Sequence, residues 1–352
     1  MDTVTLPRTG LTLSPLGMGT VPMVSRVPTD ERVGVVRAVR DLGINWFDTA
    51  RAYNDAEDVL GEAFAGSRHE VVIITKSGAK EPERLRLSIE ESLRRLRTDY
   101  VDALFFHGGG AIETECFLGP GGLLEAAEDC RRAGKTRFLG FSAHSVDLAV
   151  SALDIPSFDF AMVPANFMSP QYIQGAFMER ARERGVTVLA MKPFGGGRIR
   201  NPGLCLKFLK RFPDVLPCVG IEKPAEMAED LRLWDEAAGP LTVADQAEME
   251  RIHAELGDRF CRQCGYCMPC PEGVPIMFMN LMEAWVKQLS LSDLVHVAGG
   301  AVEAAKGCVE CRKCVEKCPY DLPIPEMLKD SIALYERTVA LGAADSPRAA
   351  AG

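Results

Sequence analysis

VVIITKSGAKEPERLRLSIEESLRRLRTDYVDALFF, residues 71–106, carries the reading of the fold. Two apolar, β-branched runs, VVIIT (71–75) and VDALFF (101–106), flank EPERLRLSIEESLRRLRTD (81–99). Apolar residues in the middle segment recur at helical spacing, and Pro82 falls at an early helix position, where a missing N–H costs little. The other face of that helix is densely charged. This predicts a solvated outer surface, with an interaction patch as the alternative. Strand, amphipathic helix and strand in this order form a crossover unit of a parallel sheet.

The same alternation recurs along the first two thirds of the chain. Further strand runs are LGMGT (16–20), GINWF (43–47), RFLGF (137–141), FAMVP (160–164), VTVLAM (186–191) and LPCVG (216–220), with helical stretches such as TDERVGVVRAVRDLG (29–43) between them. Strand centres fall roughly 23 to 35 residues apart, the length of a right-handed βα unit. Eight such units close into a (β/α)8 TIM barrel, so the fold class is α/β. An open doubly wound sheet is the alternative. It calls for a Gly-rich phosphate turn after the first strand, and LGMGTVPMV puts Val24 in the last glycine slot of that pattern. VTLPRTGLTL, turning at Thr9–Gly10, predicts a hairpin that caps the barrel bottom.

At 352 residues, 47% hydrophobic and 25% charged, the chain has room for one large α/β domain and a small appendage. A net charge of −9 with no basic patch argues against a nucleic-acid partner. The start, MDTVTLPRTGLTL, lacks the basic region and apolar core of a secretory signal. No apolar run approaches the roughly 20 residues that span a bilayer. A cytoplasmic protein without a membrane partner is the expectation, and in that compartment clustered cysteines read as metal ligands rather than disulfides.

Barrel chemistry sits at the C-terminal ends of the strands. Those ends carry Asp48, Lys76 and His107, and Tyr53 lies five residues beyond Asp48, at the start of the helix holding AEDVLGEAF. Singly, each has an ordinary reading: a packed Tyr, a solvated Lys, an Asp that caps a helix. Together they place ionisable groups on three successive strands of one rim. FDTARAYNDAEDVLGEAF, ITKS and LFFH resemble the aldo-keto reductase family, and the likeness runs from the N-terminal hairpin to about residue 235. It implies a catalytic set of Asp48, Tyr53, Lys76 and His107. Tyr53 would protonate a carbonyl oxygen as hydride reaches the carbon, which is general acid catalysis. Lys76 is expected to favour the phenolate and lower the Tyr53 pKa, Asp48 to hold Lys76 charged, and His107 to donate to the carbonyl.

The resemblance also implies NAD(P)H across the barrel mouth and a small-molecule aldehyde, ketone or alcohol as substrate. Ser142 in GFSAH (140–144) and Asn166 in VPANFM match family positions at the nicotinamide. The loop MKPFGGGRI (191–199), with Lys192, Gly195 and Gly196, offers charge and backbone N–H groups to a pyrophosphate, a plain surface loop being the alternative. GIEKPAEMAEDL (220–231), with Lys223, matches the segment at the adenosine phosphate end. Four positions depart from the family. Ala143, Met162 and Met191 stand where Asn, Gln and a stacking Tyr are common, and Glu226 falls where a base for the 2′-phosphate is expected. His144 is the candidate to replace the lost amide contact.

CRQCGYCMPCP (261–271) and CVECRKCVEKCP (308–319) hold eight of the twelve cysteines. The second run has the bacterial ferredoxin spacing, and the first is one residue short in its last interval. In two-cluster ferredoxins the fourth cysteine of each run serves the other cluster. Two [4Fe–4S] clusters are therefore expected, one on Cys261, Cys264, Cys267 and Cys318, the other on Cys308, Cys311, Cys314 and Cys270. Zinc is the alternative, although its modules usually space two C-x2-C pairs far apart. The 37 residues between the runs read as helix, including MFMNLMEAWVKQL and LVHVAGGAVEAA. They predict a small C-terminal α-helical dicluster ferredoxin-like domain with few core residues besides its clusters. Cys116, Cys130, Cys205 and Cys218 are expected as free thiols, Cys218 in the barrel core.

Gly239–Pro240 breaks the chain and Thr242 can cap the helix that leads to Cys261, so the domains are expected at 1–240 and 241–352. Aldo-keto reductases with a ferredoxin-like tail form a subfamily that this chain resembles. Two functions follow: a carbonyl or alcohol oxidoreductase whose clusters are structural or relay electrons to a carrier, or an electron-transfer or redox-sensing iron–sulfur protein on a barrel scaffold.

Overall fold

Eight parallel strands close on themselves in sequence order. They are β1 (Gly17–Gly19), β2 (Trp46–Asp48), β3 (Val72–Ser77), β4 (Val101–Phe106), β5 (Thr136–Ser142), β6 (Phe160–Pro164), β7 (Thr187–Met191) and β8 (Val215–Gly220). β8 pairs with both β7 and β1, which seals the barrel and rules out the open sheet. Among the described residues each strand leads to an outer helix, α1 (Arg32–Asp41, preceded by a short helix at Val21–Arg26), α2 (Ala56–Ala63), α3 (Pro82–Leu96), α4 (Leu123–Arg132), α5 (Val146–Ala152), α6 (Ala176–Arg184), α7 (Pro202–Leu209) and α8 (Pro224–Glu236). The computed structural model describes residues 2–108, 112, 117–261, 265–288 and 291–344. The chain divides into two units, Met1–Glu250 and Arg251–Gly352.

The barrel interior is plugged from below by the predicted hairpin. Val4–Thr5 and Thr12–Leu13 pair antiparallel, and the turn is possible because Gly10 takes φ 70°, a left-handed value that favours glycine. Leu6, Leu11 and Leu13 pack against Trp46, Val72, Ile74, Phe105, Phe160 and Leu216. Trp46 presses on Gly17 so closely that a Cβ there would meet its ring at 2.1 Å, so β1 and β2 can adjoin only with glycine at that place.

Successive side chains of a strand point to opposite faces. A residue two beyond an interior packing residue therefore also points inward, nearer the mouth. Trp46 leads to Asp48 and Ile74 to Lys76 in this way, and the same step past the end of β4 leads from Phe105 to His107. On the outer layer, α3 buries Leu85, Ile89, Leu93 and Leu96 and leaves its charged side in water, with Glu91 paired to Arg94 and Arg95. Such exposed pairs add little stability, so the charged face reads as solvation.

The helix Val243–Leu256 starts where Thr242 caps it: the Asp245 amide donates to Thr242 Oγ1 at 3.1 Å and the Asp245 carboxylate accepts from the Thr242 amide at 2.7 Å. The division between the units falls inside this helix. The second unit contains the helices Ile276–Met279, Met282–Gln288, Leu291–Lys306, Lys313–Glu316 and Ile324–Ala344. Leu294, Ala298, Val302 and Ala305 line the buried side of Leu291–Lys306 and meet Val274, Ile276, Met279, Leu322, Ile324 and Leu328. The expectation of few core residues is thus overturned. The small residues Ala298 and Ala305 let helices approach closely, and the unit has an apolar core of its own. Among the described residues no helix is long and apolar enough to cross a membrane.

Candidate functional site

Asp48 ends β2, Lys76 is the fifth residue of β3, and His107 follows β4 directly. Tyr53 lies in the turn before α2 rather than in the helix, whose first residue is Ala56; the Ala56 amide donates to the Tyr53 carbonyl at 2.9 Å. The structure brings all four together. Lys76 Nζ is 2.6 Å from the Asp48 carboxylate, donates to the Thr49 carbonyl at 2.9 Å and reaches the Tyr53 hydroxyl at 3.5 Å. Tyr53 and His107 meet edge to face, with ring centroids 5.6 Å apart. Lys76 and Asp48 are 2% and 6% exposed, so the ion pair is withdrawn from water.

Burial works against charge on Lys76, but the neighbouring Asp48, helped by Tyr53, prevails and raises its pKa, so the side chain is a cation. Burial also lifts Asp48, against the pull of Lys76. Tyr53 behaves differently from the expectation. Burial outweighs the Lys76 charge and raises its pKa, so the group is held as a phenol with its proton in place. Burial first, then the Lys76 charge, push His107 down to about 4. It is a neutral imidazole at neutral pH.

The His107 shift has a consequence for stability. The unfolded chain protonates this residue near its ordinary value of about 6.5, while the folded chain resists until about 4. Between those values the unfolded state binds more protons, so the stabilisation is full above pH 6.5 and is lost as pH falls toward 4. We expect the parent to lose about 1–2 kcal/mol more than His107→Gln between pH 7 and pH 5. Urea titrations of both proteins at the two pH values measure it, and equal losses would refute it.

Sequence reasoning passed over Glu57. It is 1% exposed, accepts from Thr75 Oγ1 at 2.7 Å and pairs with Arg51, whose amide donates to the Lys76 carbonyl at 3.1 Å. These bonds fasten the turn carrying Tyr53 onto β3. The signal was available: Leu60 and Gly61, three and four residues on, share a helix face with Glu57 and are buried. Thr20 adds a second brace, with its amide and hydroxyl both donating to the Asp48 carbonyl.

The nicotinamide positions fit in part. Ser142 Oγ accepts from the Gly108 amide at 2.8 Å, which leaves its hydroxyl proton to donate. Asn166 is 2% exposed and committed to backbone, donating to the Lys192 carbonyl at 2.9 Å and accepting from the Met168 amide at 2.9 Å. It anchors the loop after β7. That loop is left-handed at Lys192, Gly195, Gly196 and Gly197, and a Cβ at Gly196 or Gly197 would meet nothing within 4 Å. Within it the Gly195 amide donates to the Lys192 carbonyl at 2.9 Å and the Gly197 amide to the Phe194 carbonyl at 3.0 Å, so part of its N–H supply is spent on the turn itself. Lys223 is exposed just before α8, but the Glu226 carboxylate folds back over that helix start, accepting from the amides of Glu222 and Lys223 at 2.7 and 3.2 Å.

In the second unit the thiols gather around two cavities. One is lined by Cys267, Cys270, Cys308, Cys311 and Cys314 with Ile276 and Leu328. The other is lined by Cys261, Cys267 and Cys318 with Met277, Leu322 and Ile324. Cys270 thus joins the thiols of the second run, Cys318 joins those of the first, and Cys267 touches both spaces. Cys264 lies outside the described residues, as does Cys116. Among the described residues no three His, Cys, Asp or Glu side chains group tightly enough to hold a single metal ion. Cys270, Cys308, Cys311 and Cys314 around one apolar pocket, with Cys261, Cys267 and Cys318 around the other, are cysteine sets of the kind that hold iron–sulfur clusters. Cys130, Cys205 and Cys218 are buried free thiols, Cys218 in the barrel core.

The model of the Aldo/keto reductase family matches residues 15–212, and that of a 4Fe-4S dicluster domain matches residues 260–323. The chain belongs to the aldo/keto reductase family, as an oxidoreductase with a 4Fe-4S dicluster domain toward its C-terminus. It is 30% identical over 215 residues to L-galactose dehydrogenase of Arabidopsis thaliana, covering 56% of this chain and 67% of the relative. It is also 30% identical over 220 residues to 6-dehydroglucose reductase of Novosphingobium aromaticivorans, covering 56% and 70%. Two solved aldo-keto reductases share the fold. That from Bacillus halodurans has TM-score 0.62 at 20% identity, covering 72% of this chain and 96% of that one. That from Klebsiella pneumoniae, in complex with NADPH, has TM-score 0.61 at 24% identity, covering 72% and 95%.

Proposed function

We propose that the protein reduces the carbonyl of a small aldehyde or ketone, or oxidises the matching alcohol, with a nicotinamide cofactor. The observation that carries this reading is the buried Lys76–Asp48 pair with the Tyr53 hydroxyl 3.5 Å from the ammonium. A bound nicotinamide supplies hydride to the carbonyl carbon in one direction and accepts it in the other. Tyr53 gives its phenolic proton to the oxygen as negative charge develops there. Lys76, kept cationic by Asp48, stabilises the phenolate left behind. His107, neutral, offers a ring N–H to the same oxygen, and its edge-on contact with Tyr53 keeps the two donors side by side. Ser142 and the Lys192–Gly196 loop would hold the carboxamide and the pyrophosphate, with Lys223 near the adenosine end.

The relatives named as a dehydrogenase and a reductase support a sugar-like polyol or carbonyl among the substrates to try first. Anaerobic assays of NADH and NADPH oxidation against aldehydes, ketones and aldoses test the reading, and no turnover with any of them would end it. NADH is expected to bind better than NADPH. The carboxylate of Glu226 already holds the amides at the start of α8 and repels a 2′-phosphate. Glu226→Gln keeps the acceptor and removes the charge, so it should narrow the NADH preference by roughly fivefold or more. Fluorescence titrations of both proteins with both cofactors decide it; an unchanged ratio would clear Glu226 of the role.

The C-terminal domain is proposed to hold two [4Fe–4S] clusters on the exchanged thiol sets. Their role is structural or that of a relay to a one-electron carrier. Hydride carries two electrons and each cluster passes one, so the clusters stand outside the carbonyl step itself.

A further inference from the structure

We propose that the side-chain amide of Asn280 donates a hydrogen bond to a sulfur of the iron–sulfur cluster carried by Cys261, Cys267 and Cys318, and that this bond raises the cluster's reduction potential. The inference rests on the reading that these thiols belong to a [4Fe–4S] set. The stretch VPIMFMNLM (274–282) is apolar except for Asn280. Val274, Ile276, Met279 and Met282 belong to the core of the second unit, and a carboxamide among such residues is costly unless a hydrogen bond answers it. Asn280 follows the helix Ile276–Met279, and its backbone amide donates to the Ile276 carbonyl at 3.0 Å. Its side chain makes no such bond. Nδ2 and Oδ1 are both buried, and neither has a hydrogen-bond partner among the described residues.

The orphaned carboxamide faces the thiols. Asn280 and Met277, three residues apart and so on one side of the chain's turn, line the cavity bounded by Cys261, Cys267 and Cys318. A protonated thiol is a weak acceptor, and the thioether of Met277 is no better. Thiolates and sulfides of a cluster carry negative charge and accept far more strongly. A cluster sulfur only accepts, so Nδ2 is the atom concerned and Oδ1 is not. Hydrogen bonds to the sulfurs are among the features that set a cluster's potential. Reduction adds one electron and makes no bond, so the reduced cluster is the better acceptor and an N–H donor favours it. The cavity of Cys270, Cys308, Cys311 and Cys314 is different. None of its described lining residues has a buried polar side-chain atom without a partner.

Asn280 is the sole asparagine from Arg251 to Gly352, so one label reports it in this unit. The full chain is prepared anaerobically with the heavy nitrogen isotope in asparagine side-chain amides only. It is counted for iron, reduced with dithionite and read by pulsed EPR. A heavy-nitrogen coupling to a reduced cluster is expected in the parent and is lost in Asn280→Leu, which keeps the branched shape and removes the donor. An iron-loaded parent without that coupling would overturn the donor. Redox titration gives the second readout. In Asn280→Leu the reduction equilibrium constant of one cluster should fall about tenfold, which is about 59 mV for one electron, while the other stays within about twofold of the parent. Both potentials unchanged would also overturn the proposal. Where Asn280→Leu loses the iron of this cavity, the coupling in the parent decides alone. A parent protein without iron is a separate outcome: it removes the cluster reading, and the donor with it.

Discussion

Tyr53→Phe loses carbonyl reduction, with turnover falling about 10²-fold or more, while nicotinamide binding stays near the parent's. The substitution removes one hydroxyl and little volume. The ring keeps its edge contact with His107 and its place beside Lys76, whose ammonium lies 4.9 Å from the ring centre. What disappears is the proton donor, which burial holds in its protonated form. Lys76→Met is a poorer test, because it leaves the Asp48 carboxylate buried and unpaired. Breaking a buried pair in that way costs about 3–5 kcal/mol, so lost activity could reflect lost structure. Single-turnover rates and a cofactor titration on Tyr53→Phe separate the two effects. Near-parental turnover would withdraw Tyr53 as the proposed acid.

Much of the barrel was legible because burial on both faces forces β-branched, apolar runs such as VVIIT and VDALFF, and because strand geometry has period 2. Once Trp46, Ile74 and Phe105 are read as interior, Asp48, Lys76 and His107 must point into the same space. Three features were not legible. The direction of the Tyr53 shift depends on how far burial outweighs one cation, and spacing carries no information about solvent. The commitment of Asn166 to the Lys192 carbonyl depends on a left-handed loop that sequence marks only as Gly-rich. The core of the second unit was underestimated because its helices pack through alanines at 298 and 305, which hydrophobic-run reading discounts. Glu57 belongs to another class: helix spacing places it on the buried face with Leu60 and Gly61, so its burial was readable from the sequence.

Anaerobically prepared protein should contain about eight iron and eight sulfide per chain, and either Cys318→Ser or Cys270→Ser should bring the iron to about four. The second unit has an apolar core besides its thiols, so the loss is to be read in iron and spectra of soluble protein. Single variants cannot tell exchanged ligands from local ones, since both schemes lose one cluster. Double variants can. Cys318 lines a cavity with Cys261 and Cys267, while Cys308 lines the other. If ligands are exchanged, Cys318→Ser with Cys261→Ser damages one cluster twice and keeps about four iron, whereas Cys318→Ser with Cys308→Ser damages both and keeps almost none. Ligation within each run reverses the two outcomes. Zinc in place of iron in the parent would displace both schemes, because a closed zinc site has no second cluster to lose.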